Sequence, residues 1–415
     1  MNNTNRTSLT GAISTKLRAI AAAVLTGTAL SPVSAATPAA ADSTSSIVSH
    51  LGFDMCGAYV GSSTSALRDA GYYGDDQKEL RSAMSAHLKY SFSYSHSTRT
   101  GRLYPGAYQG IGLSMTSFFE NRRVGTPLGI YVFQGAPIFR LTPRLTFDYE
   151  WNFGASFGWK KYDEDHTPVN LIVGSKTNAY INVGFMLRYR LTSRLALAAG
   201  IDMTHWSNGN TSWPNPGVNS IGGRAGLIYT FDSRATQATL SDMTGTEPVK
   251  PHFSYDLVIY GAARKRMLHI NSAPQLLPGR FGIAGLNFAP MYNFNRFLRA
   301  GISADIQYDE SSGLGKYYVE GTYGDNIKFR RPGFFHQVSA GLSARGELVM
   351  PIFSINAGMG YNIIGNSDSR NFYQVLALKV NVWQHLFLHI GYQLNSFRNP
   401  NNLMIGLGYR FHDRR

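Results

Sequence analysis

An all-β fold, a transmembrane antiparallel β-barrel of about 14 strands within a range of 12 to 16, is what this sequence predicts, on three observations. First, beyond the N-terminal leader no segment has the ~20 consecutive apolar residues that a membrane-crossing helix requires, which excludes a helical membrane protein. Second, 24 Phe and 24 Tyr alongside 43 Gly supply the residues that line barrel strands and form interfacial aromatic girdles. Third, residues 145–159 alternate strictly. Leu145, Phe147, Tyr149, Trp151, Phe153, Phe157 and Trp159 fall on one face, and Thr146, Asp148, Glu150, Asn152 and Ser156 on the other. Such a run is long for a strand of a soluble sheet and suits a tilted membrane strand with one face in lipid and the other in water.

Taken in order, the chain begins with a secretory leader over residues 1–35. Arg6, Lys16 and Arg18 precede a short apolar run, and Val33-Ser34-Ala35 offers small residues for cleavage before Ala36. Removing the leader takes three of the 39 basic residues and none of the 25 acidic ones, leaving a mature charge of +11. That excess suits a partner bearing phosphates, without specifying one. Residues 36–83, Ala/Ser/Thr-rich and then mixed, are expected to form a flexible N-terminus and a periplasmic or plug-like segment. The barrel is expected over residues 84–415. Its first strands lie near 88–96, 108–118 and 128–140. The similar tight connections at 141–144 and 191–194 read as periplasmic turns, and the polar stretch 160–176 as an outer loop. A polar connection at 232–251 offers a break into two units, but one closed barrel accounts for both halves and is preferred. Further alternating segments follow near 253–264, 279–290, 297–308, 333–346, 350–363, 372–382, 385–396 and 403–411. The last ends in Phe411, as a closing strand should.

Other chemistry is sparse. Cys56 is the only cysteine, so no intrachain disulfide forms, and it reads as a small buried side chain. His385 and His389 are expected on a strand facing the lumen without nearby carboxylates, so no metal site is expected. The Asp163-Glu164-Asp165 cluster reads as a solvated loop, with a calcium site the alternative. No cofactor and no nucleic-acid partner are expected.

The chemistry concentrates in a predicted hairpin over residues 195–231. Period-two reading places Ile201, Met203, His205 and Ser207 on the apolar face of the first arm, and Asp202, Thr204, Trp206 and Asn208 on the other. On the second arm Asn219 points where His205 and Ser207 point, whereas Arg224 points inward. A serine hydroxyl needs a base to become a nucleophile, and residues i and i+2 of a strand lie roughly 6 to 7 Å apart and project the same way. His205 and Ser207 meet that requirement. Asn208 and the amide of Gly209, just beyond the nucleophile, are placed to donate to an oxyanion. Gly223 and Ala225, small and lipid-facing, predict a shallow groove for an acyl chain.

The run His205-Trp206-Ser207-Asn208-Gly209 followed by Pro214-Asn215-Pro216-Gly217-Val218-Asn219 resembles the PagL-type lipid A 3-O-deacylases and the related acyloxyacyl hydrolases, over residues 108–231. The resemblance implies an outer-membrane barrel whose partner is lipid A, or lipopolysaccharide, in the outer leaflet. It assigns Ser207 as nucleophile, His205 as base, and Asn208 and Gly209 as oxyanion donors. Where that family carries a glutamate to orient the histidine, this chain has Asn219, which can accept a hydrogen bond but supplies no charge. Small members of the family have eight strands, so the C-terminal half is left without a role. The expectation is therefore a carboxylic ester hydrolase acting on lipid A. The alternative is a non-enzymatic barrel, porin-like or an inactive relative, that would use Asp148, Glu150, Asp202 and Arg224 to line a pore.

Overall fold

The computed structural model describes residues 46–61, 80–121, 123–163, 170, 172–209, 211–231, 248–270, 273–322, 326–330, 332–365, 372–396 and 399–414. The expected leader, and most of the acidic cluster after Asp163, lie outside them. Eight strands form a first closed antiparallel barrel: β1 (Ile47–Gly61), β2 (Ser82–Tyr94), β3 (Tyr108–Ser117), β4 (Gly125–Thr142), β5 (Leu145–Trp159), β6 (Thr177–Arg190), β7 (Leu195–Ser207) and β8 (Val218–Thr230). A short helix, α1 (Arg99–Leu103), joins β2 to β3. Eight more strands close a second barrel: β9 (His252–Arg264), β12 (Phe281–Asn293), β13 (Leu298–Asp309), β14 (Val338–Val349), β15 (Phe353–Ile364), β16 (Phe372–Trp383), β17 (Leu386–Asn395) and β18 (Asn399–Phe411). Between β9 and β12 lies a small hairpin of β10 (Met267–Ile270) and β11 (Ala273–Leu276).

The antiparallel barrel architecture expected from the alternation is present, and its sixteen barrel strands stand at the upper end of the expected range. They close as two barrels rather than one. The reason is β1, which falls within residues 36–83 and was expected to lie outside the barrel. It pairs with β2 on one side and, from His50 opposite Thr230 to Gly61 opposite Asn219, with β8 on the other. Once β8 has spent its free edge on β1, it has no backbone groups left to receive β9. Strand β9 closes instead on β18, from Ile405 opposite Gly261 to Phe411 opposite Tyr255. The break at 232–251 is thus a true boundary between barrels.

Outward positions such as Phe53, Leu113, Ile130, Ile259 and Ile302 are exposed apolar side chains, the pattern of a lipid-facing band. Inward positions carry polar groups together with buried apolar and aromatic side chains such as Val60, Phe133 and Trp206, and an eight-stranded barrel is only wide enough for its side chains to fill it. In the first barrel, Lys89 Nζ lies 2.5 Å from Asp54 and 3.0 Å from Glu150. Arg224 reaches Glu150 at 2.7 Å and Asp202 at 2.6 Å. Cys56 is buried there, its thiol 3.5 Å from Asp202 Oδ1. Of the groups that a pore would have used, Glu150 and Asp202 are therefore bonded to Arg224, and Asp148 pairs with Arg188 at 3.1 Å. In the second barrel Glu347, fully buried, pairs with Arg299 and with Lys379 at 2.7 Å, and Lys379 and Arg410 each reach Asp256 at 2.7 Å. Removing one partner of such a network leaves uncompensated buried charge, at a cost of about 3 to 5 kcal/mol. Glu347→Ala should therefore lower the temperature at which the folded form is lost on unboiled gels, whereas Leu342→Ala, on the exposed outer face of β14, should leave it near wild type.

His389 is inward and buried as expected. His385 sits in the turn between β16 and β17 and is exposed, so the two do not share a strand face.

The barrels touch along their outer faces. Trp151 of β5 packs with Met350, Phe353 and Leu378, its ring 5.1 Å from that of Phe353 and perpendicular to it. Its indole N–H donates to Gln134 Oε1 at 2.8 Å and lies 3.2 Å from Met350 Sδ. Trp151 is only 6 % exposed although its parity is that of a lipid-facing residue, so the second barrel replaces lipid at this point. Tyr104, just after α1, adds a hydrogen bond from its hydroxyl to the backbone carbonyl of Arg296 at 2.9 Å.

Candidate active site

Strands β7 and β8 pair in a register that sets His205 directly opposite Asn219. What fixes the facing of this end of β7 is Trp206. Its buried indole lies 5.4 Å from Phe118, 6.2 Å from Trp159 and 6.0 Å from Tyr180, an aromatic cluster filling the lumen beneath the long loops. With Trp206 anchored inward, pleating sends His205 and Ser207 outward. Val218, buried in the same cluster, does the same for Asn219. His205 Nδ1 and Asn219 Oδ1 are 2.7 Å apart, a short and well-formed hydrogen bond. Since the amide oxygen can only accept, the imidazole donates from Nδ1, which leaves Nε2 as the acceptor. Asp202, as its parity requires, is held in the lumen by Arg224 and takes no part.

The loop between β7 and β8 is longer than a tight hairpin turn, and Pro214 and Pro216 remove two donors that could have extended the ladder. Asn208 organises it. Its backbone N–H donates to Asn215 Oδ1 at 2.9 Å, its side-chain amide donates to the Ser212 carbonyl at 2.9 Å, and its own carbonyl accepts from the Thr211 hydroxyl at 2.8 Å. Asn208 is thereby turned into the loop, away from the outward face that carries Ser207, which departs from the oxyanion placement expected of its side chain. Gly209 follows at φ +62°, and its N–H donates to no described residue. Gly217 returns the chain at φ +76°, and a Cβ there would stand 2.9 Å from His205 Cε1. A side chain at Gly217 would displace the imidazole, so this glycine lets the backbone brace the ring. Asn215 and Gly217 were visible in the sequence run, but their roles depend on loop geometry that no strand periodicity encodes.

Below the site, Ile201 and Met203 are 62 % and 59 % exposed on the outward face of β7. Gly223 and Ala225 share that face on β8, four and six residues beyond Asn219, or about 13 and 20 Å along a strand. A Cβ at Gly223 would meet nothing within 4 Å, and the same holds for Gly57 opposite it on β1. Neither glycine puts a side chain on this stretch of the outer wall.

Two family models match the chain. The one described as lipid A 3-O-deacylase (PagL) matches residues 84–227, and the one described as acyloxyacyl hydrolase, C-terminal domain, matches residues 253–413. The C-terminal half, without a role on sequence grounds, thus has a family assignment of its own. No curated protein matches. Among solved structures, Neisserial surface protein A is 12 % identical, with 44 % of this chain and 97 % of that one covered and a TM-score of 0.29. The outer membrane enzyme PagL is 14 % identical, with 42 % and 97 % covered and a TM-score of 0.26. The siderophore receptor PirA from Pseudomonas aeruginosa is 8 % identical, with 88 % and 80 % covered and a TM-score of 0.25. Matched over β2 to β8 of the first barrel and over the whole of the second, the chain belongs to the PagL and acyloxyacyl hydrolase family of outer-membrane lipid A deacylases.

Proposed function

We propose that this protein is a serine esterase that removes an ester-linked acyl chain from lipid A through Ser207, His205 and Asn219 on the lipid-facing wall of the first barrel. The observation that carries this reading is the 2.7 Å pairing of His205 Nδ1 with Asn219 Oδ1 beside an outward-facing Ser207. In this reading His205 Nε2 takes the proton from Ser207 Oγ as the oxygen attacks the acyl carbonyl carbon. The tetrahedral oxyanion is met by the N–H of Gly209. Collapse breaks the ester C–O bond, and the departing sugar oxygen takes the proton from the imidazolium. Water then attacks the acyl-serine with His205 as base again, releasing the fatty acid.

Placement supports a lipid substrate. The site lies at the long-loop end of β7, the end that faces outward in bacterial barrels, and its surroundings are exposed apolar side chains rather than water-facing ones. Mass spectrometry of lipid A from cells producing the wild type or Ser207→Ala tests the reading directly. Loss of one acyl chain with the wild type only is the expected result, and identical lipid A from both would end it.

A shallow groove at Gly223 and Ala225 is the proposed path for the scissile chain. Because Gly223 has open space around its missing Cβ, Gly223→Val should assemble normally. Filling the groove costs a long chain the contact of a few methylenes, each worth about 0.8 kcal/mol or roughly fourfold. Gly223→Val and Ala225→Leu should therefore shift preference toward shorter chains, by about fourfold to tenfold in kcat/KM. An unchanged profile in both variants would move the chain path elsewhere.

A further inference from the structure

We propose that the second barrel supplies part of the substrate site: Leu403 of β18 forms the wall that meets the acyl chain beside Ser207, making chain-length selection a property of both barrels. The proposal rests on Ser207 being the nucleophile. A Cβ built on Gly209 would lie 2.8 Å from both Cγ and Cδ2 of Leu403 and 3.2 Å from Cδ1, so the isobutyl group rests against the Gly209 backbone, two residues past Ser207. Gly209 is also the residue whose N–H faces the oxyanion in the proposed reaction. A side chain from the other barrel therefore touches the reacting end of the hairpin.

Leu403 heads an apolar row on the outer face of β18 that continues with exposed Ile405 and Leu407. The corresponding row on β7, below His205, is Met203 and Ile201, also exposed. Two cylinders in contact leave wedge-shaped grooves beside the line where they touch. Here one contact falls at Gly209 and Leu403, and each barrel contributes an apolar wall leading away from it. The walls are held in place by the buried Trp151, Met350 and Phe353 cluster, which joins the same two barrels through β5 and the turn entering β15. A saturated acyl chain is the chemistry that matches such a groove: it needs apolar contact and no hydrogen-bonding partner.

The test uses full-length protein and lipid substrates carrying either decanoyl or palmitoyl chains at the scissile ester. Leu407→Trp, four residues or about 13 Å further along the same outward row of β18, should lower kcat/KM for the palmitoyl substrate by about tenfold and for the decanoyl substrate by clearly less, because the indole occupies room that the longer chain uses more fully. Leu403→Ala should change the ratio of the two by about threefold to tenfold, through loss of methylene contacts. Leu342→Trp, on an exposed part of β14, should behave like the wild type. Heat-modifiable migration on gels verifies assembly of each variant. If Leu407→Trp and Leu403→Ala keep the wild-type ratio, or lower both substrates equally, the second barrel does not form the wall. That result is separable from failure of the underlying reading, which would appear as full acyl release by Ser207→Ala whatever happens at Leu403.

Discussion

Ser207→Ala should reduce acyl release by on the order of 10⁴ or more while the barrels assemble as in the wild type, and His205→Ala should do nearly the same. The two losses should not add. A hydroxyl without its base and a base without its hydroxyl are equally unable to form the acyl-serine, so the double variant should resemble either single one. Assembly should be spared for a structural reason. Both side chains project outward from β7, whereas the packing that fixes this strand end is carried by Trp206 in the lumen. Single-turnover release of fatty acid, with folded protein verified by its migration before and after boiling, is the measurement. Release by Ser207→Ala within tenfold of the wild type would exclude Ser207 as nucleophile.

Asn219→Leu should cost a comparable factor, on the order of 10⁴, because it leaves the Nδ1 proton of His205 without the acceptor that sets the tautomer. Leucine is close in size and is compatible with an outward position, so the loss should appear in turnover rather than in assembly. Asn219→Glu is expected to act in the opposite direction. A carboxylate within reach of Nδ1 keeps the acceptor and adds negative charge that stabilises the imidazolium formed as serine gives up its proton, so turnover should hold or rise where the ring is neutral before reaction. The same charge favours the protonated ring before reaction. The acidic limb of the pH–rate profile should therefore move to higher pH in Asn219→Glu, since the base must be neutral to act. If Asn219→Leu retains wild-type turnover and Asn219→Glu leaves the profile in place, the orienting group is another residue.

Alternation in the sequence was sufficient for most of the barrel. From β12 to β18, and for β5, β7 and β8, period-two runs coincide with observed strands, since lipid outside and polar groups inside impose opposite demands on successive residues; the exception is Trp159, expected outward, which turns into the lumen after Gly158 at φ +90°. It failed at β1, where inward-facing Cys56 and Val60 are as apolar as outward Leu51 and Phe53, so the two faces lose contrast. That failure propagated. Without β1 the first eight strands cannot be recognised as closed, and a single larger barrel follows.

At the site, strand parity alone sends His205, Ser207 and Asn219 outward and Asp202 and Arg224 inward, and the structure has all five so. Three further features depend on contacts between segments far apart in the chain or on loop geometry. Asn208 is claimed by the loop through Asn215 and Ser212, because a buried amide must satisfy its donors wherever the loop happens to fold. Gly217 braces the imidazole because a positive φ brings backbone close to it. Leu403 reaches Gly209 across nearly two hundred residues of chain because closure of β1 on β8, and of β18 on β9, creates two barrels whose outer walls must meet. Contacts between separately closed sheets leave no periodic mark on either strand, since an outward apolar residue reads the same whether it faces lipid or another protein wall.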